Sequence, residues 1–77
     1  MDKYYTQNDG IFKHHYRVID DYNMLHVNET SACINHTYND VEGYPDRYKE
    51  STEEVFDKAL EKTLNHLGIN YGKFKFK

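Results

Sequence analysis

Cysteine is nearly missing from this sequence, and that scarcity is the first constraint. Cys33 stands alone, so no intramolecular disulfide can form and the fold must be held by packing, as suits a reducing compartment. Tryptophan is absent, proline occurs once and glycine four times, which excludes collagen-like and Pro/Gly-rich low-complexity chains. No apolar run approaches the length of a membrane span, and the opening residues MDKYYTQNDG contain no apolar signal segment. The expectation is a cytoplasmic protein without a membrane partner. The sequons Asn28-Glu29-Thr30 and Asn35-His36-Thr37 are then read as chance matches. A strong excess of either charge is also missing. A net charge of −3 supplies no bulk attraction to nucleic acid or to anionic lipid.

What is present describes one small domain over residues 1–77. With 38% hydrophobic and 30% charged residues, the chain is globular, with a core small enough to depend on good packing. Eight tyrosines dominate the aromatic content. Such rings are buried with the hydroxyl at the edge, or are shown to a partner.

The strongest local signal is STEEVFDKALEKTLNHLG, residues 51–68. Val55, Phe56, Ala59, Leu60, Thr63, Leu64 and Leu67 recur at helical spacing and form one apolar stripe. Ser51 with Glu54 three residues later predicts a capping box, and Gly68 predicts a left-handed stop. That stripe requires a cover.

The first half of the chain supplies it. Residues 3–8 predict a strand, and Asp9-Gly10 a tight hairpin turn. From Ile11 to Ile19 the pattern alternates, with Phe12, His14, Tyr16 and Val18 on one face. A four-residue turn at 20–23 would set Tyr16 opposite Val27 and Val18 opposite Leu25. A third strand from Ser31 to Tyr38 places Ala32 and Ile34 on that same face and Cys33, Asn35 and Thr37 on the other. Residues 39–50, with Gly43 and Pro45, read as the longest loop. The tail INYGKFKFK changes parity across Gly72 and reads as an added short strand with lysines outward. The predicted fold is α+β, a three- to four-stranded antiparallel meander packed against one C-terminal amphipathic helix. The helix would lie on a Phe12/Tyr16/Val18/Leu25/Val27/Ile34 face.

The reactive residue types form no recognisable chemical site. His14, His15, His26, His36 and His66 with Cys33 match no zinc-site spacing, so no metal or cofactor is expected. No nucleophile elbow or other catalytic signature is present, and the acidic pairs Asp20/Asp21 and Glu53/Glu54 are explained by turn chemistry and the helix dipole. The expectation is a protein that is not an enzyme. Tyr4, Tyr5, Tyr16 and the KFKFK tail mix rings with lysine as a nucleic-acid stacking surface would. The acidic helix start, Thr52-Glu53-Glu54, would instead repel phosphate, which leaves nucleic acid as the alternative.

Protein binding is the leading class. The sheet face away from the helix would carry Ile11, His15, Arg17, Ile19, Met24, His26, Cys33 and Asn35. Such a mixture fits an interface with a foreign partner or with a second copy of the chain. Tyr44, Arg47 and Tyr48 of the long loop add residue types that anchor interfaces. The partner-binding set is therefore Arg17, Ile19, Met24, His26, Tyr44, Arg47 and Tyr48. Lysine outnumbers arginine, and Asn, Tyr, Asp and Ile are frequent, as AT-rich coding produces. Tiny cysteine-poor chains of this kind are common among accessory proteins of bacteriophages and mobile elements, many of which block a host protein such as a defence nuclease. By that association alone, the expected role is an inhibitor.

Overall fold

A computed structural model describes residues 3–68. Four strands follow in order: β1 (Tyr4–Asp9), β2 (Phe12–Val18), β3 (Asn23–Asn28) and β4 (Cys33–Tyr38). A 3₁₀ turn (Pro45–Arg47), a two-residue strand β5 (Lys49–Glu50) and one helix, α1 (Glu53–His66), complete it. All pairings are antiparallel, and the sheet order is β4-β3-β2-β1-β5. The fold is α+β, a meander with a helix on one face, as expected. The predicted strand in residues 69–77 lies outside the described residues.

Local chemistry explains the elements. Gly10 takes φ +64° between Asp9 and Phe12, which pair directly across the first hairpin. The turn therefore needs its left-handed residue at the first central position, where glycine pays no Cβ penalty. The helix starts one residue later than expected: Thr52 Oγ1 accepts the Val55 N–H at 3.3 Å, so Thr52 is the N-cap and the Ser51–Glu54 box does not form. Ser51 instead donates its backbone N–H to Tyr4 O at 2.8 Å, which ties it to β1. Gly68 ends the helix at φ +78°, as predicted.

The register between β2 and β3 differs from the expected one by one residue. Val18 pairs with Met24, Tyr16 with His26 and His15 with Val27. The cause lies in the turn. Asp20 Oδ1 accepts the Tyr22 N–H at 2.8 Å and the Asn23 Nδ2–H at 2.9 Å, and Asn23 O accepts from the N–H groups of Ile19 and Asp20. This Asx-type closure draws Asn23 into the strand and leaves three residues, not four, in the loop. A shift of one residue exchanges faces. Leu25, Val27 and Ile34 face the helix as predicted, but Phe12, Tyr16 and Val18 lie on the opposite side.

The core consists of Tyr4, Val27, Phe56 and Ala59, with Leu25, Ile34 and Leu60 packed against it. The Tyr4 and Phe56 rings meet at 5.6 Å between centroids, and the Tyr4 hydroxyl reaches Glu53 Oε2 at 3.3 Å. Val55 and Leu67, at the ends of the predicted stripe, are exposed. Thr63 is fully buried, and His15 comes to the same side of the sheet from β2. His15 Nε2 lies 3.5 Å from Glu29 Oε2, an ion-pair distance without hydrogen-bond alignment, and Glu29 also meets Lys62 Nζ at 3.5 Å. No helix among the described residues is long and apolar enough to cross a membrane.

Candidate partner-binding site

The sheet face away from the helix is not open. Met24 lies on it and is completely buried, so this face has a cover of its own. Residues 39–48 bring the Tyr48 ring onto it, edge-on to Tyr16 at 5.1 Å and to Tyr5 at 6.0 Å. The Tyr48 hydroxyl hydrogen-bonds Asp40, which fixes both ends of the loop. Burial first, and then the Asp40 carboxylate, hold the Tyr48 hydroxyl well above its ordinary pKa. Arg47 stacks its guanidinium 4.5 Å over the Tyr44 ring and lies 3.8 Å from Asp40 Oδ2.

Beside Tyr48 runs a row of rings. Phe12, His14 and Tyr16 follow one another along β2, and His26 of β3 lies against the row, 5.0 Å from His14 and 4.8 Å from Tyr16. His14 Nδ1 and His26 Nε2 share a 2.8 Å hydrogen bond, so one nitrogen donates and the other accepts. The Tyr16 hydroxyl donates to Gln7 Oε1 at 3.0 Å. Burial first, and then the neighbouring His14 and His15, hold the His26 imidazole below its usual pKa and favour its neutral form. Among the described residues, no group of three or more His, Cys, Asp and Glu side chains converges to hold a metal ion.

At the end of the sheet where the β2–β3 turn, the end of β4 and the loop meet, a cleft opens. Its volume is about 530 Å³, and Lys3, Tyr5, Val18, Asp21, Tyr22, Tyr38, Asn39, Val41 and Glu42 line it. Tyr22 and Tyr38 are 66% and 65% exposed, too much for rings held only as core. The Asn39 N–H donates to Tyr22 O at 3.0 Å, and Asn39 Nδ2 donates to Asp20 O at 3.1 Å, so the two walls are tied together. Ile19, from the same turn, and Tyr44, from the loop, are also exposed.

The seven residues expected at a partner surface are therefore dispersed. Arg17 lies on the helix side of the sheet, opposite Leu25. Met24 is buried and offers a partner nothing. His26 is half-buried in the ring row, and Tyr48 is spent on covering the face. Ile19, Tyr44 and Arg47 remain at the surface. Sequence reasoning missed Tyr22 and Tyr38, because both fall at strand ends where alternation carries no signal. Comparison with family models, with curated proteins and with solved structures finds no match to this chain.

Proposed function

We propose that this protein acts by stoichiometric protein binding, with the tyrosine-walled cleft receiving an apolar or aromatic side chain of the partner. The observation that carries this reading is the exposure of Tyr22 and Tyr38 on either side of a concavity. Tyrosine gives a large contact area for little conformational entropy, and a pocket with aromatic walls is a common form of interface hot spot. Ile19 and the stacked Tyr44–Arg47 pair extend the contact beyond the cleft. With no reaction needed, occupying a partner's surface is sufficient for an inhibitor, and a host protein is the partner that the composition suggests.

The test is capture from a nuclease-treated host lysate using the tagged full chain, run beside the Tyr22→Ala and Tyr44→Ala variants. One protein retained in stoichiometric amount by the parent chain and lost by Tyr22→Ala supports the reading. Equal retention by both variants removes the cleft and the loop from it.

One observation favours a second reading. Beyond buried Tyr16, the ring row ends in exposed Phe12 and half-buried His14, rings of the kind on which unpaired bases stack. Under that reading, enrichment disappears on nuclease treatment, and binding falls steeply with salt.

A further inference from the structure

Among the described residues, the hydrogen-bond ladder leaves the outer edge of β4 open. Asn39 donates its N–H to Tyr22 O, and residues that bond across an antiparallel pair alternate with those that do not. In the β3–β4 register the bonded pairs are then Met24/Thr37, His26/Asn35 and Asn28/Cys33. The other side of β3 agrees, because the bonds Ile19 N–H to Asn23 O and Glu29 N–H to Lys13 O give its alternate residues to β2. It follows that Ile34, His36 and Tyr38 turn their N–H and C=O groups away from the sheet.

Among the described residues, this edge has none of the usual guards. β4 reads CINHTY, without proline and without any Lys, Arg, Asp or Glu, and it runs unbulged for six residues against β3. The opposite edge, β5, is two residues long and fully charged, Lys49-Glu50. The helix packs on β2 and β3, one strand in from β4. An unguarded row of outward amides is a template for another strand.

We infer that two copies of this chain pair β4 to β4 antiparallel, with His36 opposite His36 on the two-fold axis. Only this register engages every outward group: His36 bonds its counterpart, and Ile34 bonds Tyr38 of the other copy, twice by symmetry. A slip to either side strands an outward residue in each copy. The side chains agree with the backbone. Half-buried Ile34 meets the exposed Tyr38 ring on the helix side, and Asn35 meets Thr37 on the other. The pairing joins two five-stranded sheets into one and places both helices on the same face. The pairing shares Tyr38 with the cleft, but it rests on the β4 backbone edge and not on what the cleft binds.

Sedimentation equilibrium of the full chain tests this, read together with amide exchange. The expected result is a mass rising with concentration from 9.3 kDa to twice that value. The amides of Ile34, His36 and Tyr38 should gain protection of about tenfold or more as the dimer forms, while those of Met24 and His26 should not change. His36→Pro removes the outward N–H, at a position where an edge strand tolerates proline, together with the imidazole bond to Asn23 Oδ1, which His36→Ala removes alone as the control. The His36→Pro chain should remain folded by circular dichroism and monomeric. His36→Lys, which sets two like charges face to face, should do the same without altering the backbone. A chain that stays monomeric at every concentration overturns the inference. So does a dimer in which those three amides exchange as in the monomer.

Discussion

At the residue scale, burial separates side chains that the helical pattern treats alike. Val55 and Phe56 are neighbours in the predicted stripe, yet Phe56 is 2% exposed and Val55 42%. Phe56→Ala should cost about 3–5 kcal/mol in a denaturant titration, through lost transfer energy and the cavity left beside Tyr4. Val55→Ala should stay within about 0.5 kcal/mol. Titration gives a second expectation. His26 has a folded-state pKa below its unfolded value, so the unfolded chain takes up the proton first. The stability from neutral His26 is complete above the ordinary histidine range and is lost as pH falls toward the depressed folded value. Melting temperature should therefore drop between pH 7 and pH 5, and His26→Gln should flatten that slope.

At the element scale, caps and turns decide more than propensity. Thr52 is the N-cap and Ser51 is held through its backbone. Thr52→Ala should thus cost about 1 kcal/mol in equilibrium unfolding, while Ser51→Ala should be nearly neutral. Neither residue could be chosen from the sequence, because Ser-Thr offers two hydroxyls in succession and the choice depends on where β1 holds the chain. The same limit governs β2. Its apolar parity, Phe12, Tyr16 and Val18, was plain, and so was the Leu25/Val27/Ile34 face. Joining the two assumed a single covered face. The loop buries the second face through Tyr48, so the apolar side of β2 could satisfy itself there, and the Asp20 turn chose that side. Fold class, the existence of each main strand, the helix and its glycine stop were legible from periodicity. The one-residue register was not, because it rests on side-chain hydrogen bonds within a turn.

At the scale of the whole molecule, the candidate site follows from that register. Once Tyr16 lies against His26 rather than Val27, the presumed open face becomes a ring row partly roofed by residues 39–48. The exposed tyrosines are displaced to the end of the sheet. Ile19, expected from strand parity, and Tyr44 and Arg47, expected from residue type, lie at the surface. Arg17 belongs to the helix side in the observed register. Met24 and His26 do lie on the face away from the helix, but that face is covered, with Tyr48 as part of the cover. The cleft and the free β4 edge both depend on how the strands align. A nuclear Overhauser experiment on the labelled chain measures that alignment directly. Strong cross-strand Hα–Hα contacts are expected for Tyr16–His26 and Val18–Met24, the closely spaced non-bonded pairs. Contacts of Tyr16 with Val27 and of Val18 with Leu25 in their place would return Phe12, Tyr16 and Val18 to the helix face and contradict the account.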